Sequence, residues 1–283
     1  MIRLAIRARA EDADAVLGEL LEVAPRGFEQ VDGDGWVEYA LYGAPGELPE
    51  LPAGDAEVGG VRVHVSGTPV ADDWAERWRE FHEPVLVGQR VWVRPPWADP
   101  RAGAIDLVID PGQAFGTGAH PTTRLSLELL LSLEPAGPLV DVGCGSGVLA
   151  IAAARLGYDP VSALDNDPAA LAATRENART NGVELARVER FDLREQPLPH
   201  APTVVANLVR PLLLELASAR RNVVGTHPAE PGASARHPES PETLIVSGLL
   251  GGEEEEAATA FAPLSERRRL QLGGWSALLM TRP

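Results

Sequence analysis

The stretch Val140-Asp141-Val142-Gly143-Cys144-Gly145-Ser146-Gly147-Val148-Leu149-Ala150 decides the fold of this chain. Apolar Leu139, Val140 and Val142 surround an acid, and glycines alternate at 143, 145 and 147. The helix-like run VLAIAAARLG follows at once. A short apolar run, a glycine-rich turn and a helix form the opening unit of a ligand-binding α/β sheet. Gly143, Gly145 and Gly147 leave no Cβ in the way, so a ligand can sit against the backbone there. A dinucleotide fingerprint, G-x-G-x-x-G, would place its third glycine at position 148, which is Val. The pattern is instead Asp-x-Gly-x-Gly-x-Gly. Standing alone, it also fits a tight turn in some other α/β protein.

The next acid narrows the choice. Val161-Ser162-Ala163-Leu164-Asp165 reads as a second strand ending in a carboxylate, 22 residues after Gly143. That spacing is about one β-turn-α-turn-β unit, and an acid there can accept both hydroxyls of a ribose. Asp167 and Pro168 then open a helix as N-cap and first residue. Asp167 thus has a structural task, whereas Asp165 needs none and is expected to bind ligand.

Composition sets outer limits. The chain has 283 residues, 45% hydrophobic and 23% charged, enough for one large or two modest domains with a sizeable core. The single cysteine, Cys144, excludes an internal disulfide and a cysteine-rich zinc site. It is expected to be a small buried residue and not a nucleophile. The six histidines show no H-x-x-x-H spacing, so no metal site is expected. There is no G-x-S-x-G elbow and no Walker loop. The net charge is −16, and every basic residue is Arg. So acidic a chain is not expected to bind nucleic acid directly, though it can attract a basic protein. An acidic, GC-rich proteome explains the same composition. The N-terminus lacks an apolar h-region, and the leucine-rich run at 125–133 is too short to span a membrane. A cytoplasmic protein is expected.

Residues 1–66 read as a small α+β module: a strand at 2–6, a helix at 11–24, a hairpin of 27–31 with 36–41, and a strand at 61–65. Residues 43–60, rich in Pro and Gly, are expected to hold at most a short helix. The order β-α-β-β-(α)-β suggests a ferredoxin-like domain. Residues 67–109 read as a linker helix and strands. Trp74, Trp78 and Phe81 share one helix face there, more suited to docking than to substrate contact. Residues 110–283 read as the catalytic domain. Its later strands are expected at 188–192, 203–208 and 244–247, with a closing hairpin of 268–272 and 275–281. Residues 222–242 read as a surface loop, and the acidic run from Glu253 to Glu256 as a solvated helix start.

Two further motifs point to chemistry. Asp110 to Thr123 reads DPGQAFGTGAHPTT, just before a helix that begins at Pro121. Free N–H groups of that first turn, with the Thr122 and Thr123 hydroxyls, suit an anion such as a carboxylate. Val204-Val205-Ala206-Asn207-Leu208 ends an apolar strand in an amide. Such a group faces the ligand crevice of a doubly wound sheet and can accept a hydrogen bond from an amine.

Together, DPGQAFGTGAHPTT, VDVGCGSGVLA, ALDNDP, VVANL and LIVSGLL resemble the ribosomal protein L11 methyltransferases, within the class I methyltransferases. DDWAERWREFHEP and VWVRPPW resemble the family's interdomain segment. The resemblance spans roughly residues 70 to 283, less the 222–242 loop. It implies a seven-stranded doubly wound sheet with a closing antiparallel hairpin, preceded by the small ferredoxin-like α+β domain. It implies an enzyme that uses S-adenosyl-L-methionine to methylate lysine side chains and an α-amine of the large-subunit stalk protein. The family's cofactor contacts fall on Thr122, Gly143, Asp165 and Asn207, and residues 1–66 become the domain that holds the protein substrate. Asn207 is also the candidate for orienting the amine, and no residue stands out as a general base. The run Asn207-Leu208-Val209-Arg210-Pro211-Leu212 is shorter than the family pattern and carries an Arg. Two alternatives stay open: the same chemistry on another protein or small-molecule amine, and a cofactor-binding protein without turnover that docks a basic partner.

Overall fold

The computed structural model describes residues 2–23, 29–43, 48–49, 51–69, 82–111, 118–196, 201–223 and 241–283. The chain divides into two compact units, Met1–Phe81 and His82–Pro283. Trp74, Trp78 and Phe81 lie outside the described residues, as do 112–117 and most of the 222–242 loop.

In the first unit β1 (Ile2–Arg9) is followed by α1 (Ala13–Val23), β2 (Glu29–Gly33), β3 (Trp36–Gly43), β4 (Gly54–Val58) and β5 (Val61–Pro69). The sheet order is β2-β3-β1-β5-β4, and every pair is antiparallel. Alternation along β1 buries Leu4, Ile6 and Ala8 in one cluster with Val16 and Leu20 of α1. The four strands β2-β3-β1-β5 give the ferredoxin-like arrangement. The segment 43–60 differs from expectation, because it supplies a fifth strand, β4. The cause is Gly59-Gly60, with φ of 59° and 75°. Positive φ at both central residues makes a tight hairpin turn, and two strands flank it. Val58 then pairs with Val61 and Asp55 with His64.

In the second unit β6 (Val85–Val87), β7 (Val91–Arg94) and β8 (Ile105–Val108) form a small sheet of their own. The large sheet follows: α2 (Pro121–Leu131), β9 (Leu139–Val142), α3 (Val148–Leu156), β10 (Val161–Asp165), α4 (Pro168–Thr180), β11 (Arg187–Arg190), β12 (Thr203–Asn207), α5 (Arg210–Val223), β13 (Thr243–Leu250), α6 (Glu254–Ala260), β14 (Ser265–Leu272) and β15 (Trp275–Thr281). Its order is β11-β10-β9-β12-β13-β15-β14. The strands run parallel from β11 to β13, and β15 and β14 close the sheet antiparallel. The order reverses between β9 and β12, and the crevice beyond their carboxyl ends is where such sheets bind ligands.

Both faces of the sheet are covered, as near-continuous apolar strands require. Leu139 and Val205 join one core with Leu125 and Leu129 of α2 and Ala150 and Ile151 of α3. Val140, Val142, Val204 and Ala206 point the other way, into a core with Leu213 and Leu216 of α5. Small residues on α3, Ala150, Ala152 and Ala153, have no exposed surface, which lets the helix lie close on β9. Among the described residues no helix is long and apolar enough to cross a membrane.

Candidate active site

The glycine turn after β9 is held by the neighbouring strand. The N–H groups of Gly143 and Cys144 both donate to the Leu164 carbonyl, at 2.8 and 3.0 Å. Gly143, Gly145 and Gly147 have φ of 73°, 52° and 81°, the left-handed region that favours glycine. Gly147 then starts α3 as its N-cap. A Cβ on Gly143 would lie 2.3 Å from Leu208 Cδ2, and one on Gly248 would lie 2.2 Å from the Leu208 carbonyl oxygen. Leu208, directly after Asn207, is thus seated between Gly143 of the turn after β9 and Gly248 of β13. This fixes the end of β12 against the end of β9.

Asp165 stands at the end of β10, as expected, but it also has a structural task that sequence reasoning denied it. One carboxylate oxygen accepts from Gly145 N–H at 2.9 Å and the other from Asp167 N–H at 3.0 Å. A carboxylate offers about four acceptor positions, so these bonds leave capacity for a ligand. Burial raises its pKa, partly offset by the Asp167 and Gly145 N–H groups. Asp167 caps α4 as expected, accepting from Ala169 N–H at 2.8 Å, with Pro168 next.

One face of α4 and its C-cap, Asn181, carry three residues that sequence reasoning missed. Thr174 Oγ1 donates to the Gly145 carbonyl at 2.9 Å and touches Cys144 Sγ at 3.3 Å. Asn177 donates to the Ser146 carbonyl at 2.9 Å and accepts from Asp110 N–H at 3.0 Å. Asn181 brackets Val108, accepting from its N–H at 2.8 Å and donating to its carbonyl at 2.7 Å. The spacing 174, 177, 181 was the available signal, a polar stripe on a helix whose apolar stripe is thin. Together they tie the start of the 110–123 loop to the glycine turn.

Asp141 sits beneath the turn and is fully buried. Its Oδ2 accepts from Ala150 N–H at 3.1 Å, while its Oδ1 has no hydrogen-bond partner among the described residues. Burial pushes its pKa up to about 7, with the nearby Asp165 charge adding to the rise. Cys144 is buried as expected, and burial with the Asp141 and Asp165 charges pushes its thiol well above the ordinary range. It carries no thiolate near neutrality and is inert.

The other wall is the start of α2. Thr122 and Thr123 are buried, 2% and 0% exposed. Contrary to expectation, the first turn is already partly engaged. Thr122 N–H donates to His120 Nδ1 at 3.4 Å, and Thr122 Oγ1 lies 2.8 Å from the same nitrogen. The Thr122 carbonyl accepts from Ser126 Oγ at 2.9 Å and Ser247 Oγ at 3.0 Å. Asn207 donates its amide nitrogen to Thr123 Oγ1 at 3.4 Å, and no described residue donates to its oxygen. The structure therefore brings Thr122, Gly143, Gly145, Asp165 and Asn207 to the same carboxyl edge of the sheet.

A seven-stranded sheet of this order, with an acid-and-glycine turn after β9 and an acid ending β10, defines a class I methyltransferase, whose methyl donor is S-adenosylmethionine. The family model for ribosomal protein L11 methyltransferase matches residues 53–282. The enzyme of that name from Alteromonas mediterranea is 39% identical over 212 residues, 74% of this chain and 68% of that protein. Its counterpart from Pseudomonas paraeruginosa is 39% identical over 215 residues, 73% of this chain and 67% of that protein. The solved structure of a ribosomal protein L11 methylase from Lactobacillus delbrueckii subsp. bulgaricus aligns with a TM-score of 0.57 at 27% identity, over 71% of this chain and 99% of that one. The chain belongs to the ribosomal protein L11 methyltransferase family.

Proposed function

We propose that this chain methylates amino groups of ribosomal protein L11, at lysine side chains and at the α-amine, and that its first unit holds that protein. The observation that carries the proposal is the convergence of Asp165, the Gly143–Gly147 turn, Thr122 and Asn207 on one edge of a sheet whose family acts on this substrate.

The site fits S-adenosylmethionine, a cation with a ribose and a carboxylate. Asp165 has acceptor positions for the ribose hydroxyls. The backbone at Gly143 and Gly145 carries no side chain to block a ligand. Thr122 opens a helix, where an anion such as the cofactor's carboxylate is favoured. Asp141, buried with an unpaired oxygen beneath the turn, adds negative potential below a positively charged ligand. When bound, the cofactor supplies a methyl group on a sulfonium, open to direct attack.

The chain's own contribution is positioning and desolvation. A lysine amine must arrive neutral, which costs about 4 kcal/mol at pH 7.5 from a pKa near 10.4. The Asn207 oxygen, which no described residue occupies, accepts a hydrogen of the neutral amine and aims its lone pair. Burial of the amine in the crevice beyond β12 disfavours its charged form and lowers that cost. Arg210, the departure that opened the alternative of a different amine, is turned to Glu253 at 3.1 Å and Glu256 at 2.6 Å.

Peptide mapping of cognate L11 after incubation with the chain and S-adenosylmethionine tests the proposal. Methyl groups on lysines and on the N-terminal amine are the expected result. Methyl groups confined to other residue types, or to another protein in a mixed extract, would overturn it. Asn207→Ala is expected to reduce transfer more than it weakens cofactor binding, and equal losses would contradict the orienting role.

A further inference from the structure

His120 caps α2 in place of the usual Ser, Thr, Asp or Asn. Its Nδ1 faces both the backbone N–H and the hydroxyl of Thr122. Its ring meets Trp275 edge-on, with centroids 5.1 Å apart and planes at 67°. The β14–β15 turn reaches the same helix end, since a Cβ on Gly273 would lie 3.5 Å from Pro121 Cγ. Burial holds the imidazole below the ordinary histidine range.

Only neutral imidazole can make this cap. A protonated ring has two donors and no acceptor. Its Nδ1–H would oppose the Thr122 N–H, and its charge would sit at the positive end of the helix dipole. Charged groups on the surrounding elements are engaged with one another. Arg268 of β14 faces Glu128 of α2 at 3.9 Å, and Arg269 pairs with Glu255 and Glu266 at 2.7 Å each. Glu254 of α6 accepts from Gln271 at 2.8 Å and Ser276 at 2.5 Å. Arg124 follows one turn along α2, and β12, β13 and β15 carry no charged residue.

We infer that His120 is a positioning residue for the methyl donor: as the neutral ring it fixes Thr122 toward the donor's carboxylate, and Trp275 shields it from water. The inference rests on Thr122 being a cofactor contact.

Calorimetric binding of S-adenosylhomocysteine to the full chain, from about pH 8 to pH 5.5, tests it. His120→Ala is expected to weaken binding about fivefold at pH 8, the size of a lost N-cap. His120→Asn, which can accept from Thr122 N–H, is expected to recover most of that loss. Asp141 and Asp165 are unchanged in every variant, so the comparison isolates the ring. Wild type is expected to lose more affinity than His120→Asn as pH falls toward 5.5, by up to about the fivefold of the lost cap, because only the wild type carries the titrating cap. Trp275→Ala is expected to wet the ring and move the onset of that loss upward. Parallel pH curves for wild type and His120→Asn would overturn the inference. Unchanged binding by Thr122→Ala would instead overturn the cofactor contact on which it rests.

Discussion

Replacing Gly143 by Ala tests how β12 is locked to the glycine turn. The backbone there has φ of 73°, which costs an L residue about 1–2 kcal/mol. The new methyl would stand 2.3 Å from Leu208 Cδ2 and 3.3 Å from its Cγ. Leu208 cannot retreat freely, because its N–H is bonded to Ser247 and its carbonyl lies against Gly248. Overpacking of this kind costs about 1–3 kcal/mol. The sum is about 2–5 kcal/mol of lost stability. Gly182→Ala is the control, since Gly182 has φ of 61° and open space around it. It is expected to lose only the backbone part, about 1–2 kcal/mol. Urea unfolding of Gly143→Ala, Leu208→Ala and the double variant isolates the clash. Removing the Leu208 side chain should return the overpacking part, a coupling of about 1–3 kcal/mol. Additive effects within about 0.5 kcal/mol would refute the reasoning, because residues without contact add in that way.

Three other perturbations probe the same site. Asp141 has a folded pKa of about 7, raised by burial from the ordinary carboxylate value. Its contribution is therefore fully present below about pH 4 and is lost as pH rises through 7, by up to about 4 kcal/mol. Asp141→Asn should match wild type near pH 4 and exceed it near pH 8 in urea unfolding; identical pH dependence would contradict the burial argument. Asp165→Asn should weaken S-adenosylhomocysteine binding by about tenfold to a hundredfold in calorimetry, as charge-assisted bonds are lost and an amide faces two N–H groups. Asn181→Ala removes both bonds to Val108 and should cost about 2–4 kcal/mol by thermal or urea unfolding, with an unchanged melting curve counting against it.

The sheet and its crevice were legible because each rests on a local signal. Alternating glycines after LVDV, the acid ending VSALD and the Asp167-Pro168 cap each announce a turn, a strand end or a helix start without reference to distant residues. Strand β4 was obscured because Gly and Pro dominate 43–60, and the Gly59-Gly60 turn was read with them. What could not be seen was partnership. Periodicity tells which face of α4 turns inward, but not that Asn177 meets Ser146 or that Asn181 reaches Val108, 73 residues away. The structural task of Asp165, beside the ligand role expected of it, was hidden because its partners are backbone N–H groups, which every sequence contains. His120 looked like one histidine among six, since its Trp275 neighbour lies on a strand far along the chain.

The most direct measurement is the intact mass of purified cognate L11 after incubation with this chain and S-adenosylmethionine. L11 heavier by whole methyl groups, with a smaller gain in the same time when Asn207→Ala replaces the wild type, is the predicted result. An unchanged L11 mass under conditions where S-adenosylhomocysteine binds the chain would contradict the account, leaving a cofactor-binding site of this family whose acceptor is another amine.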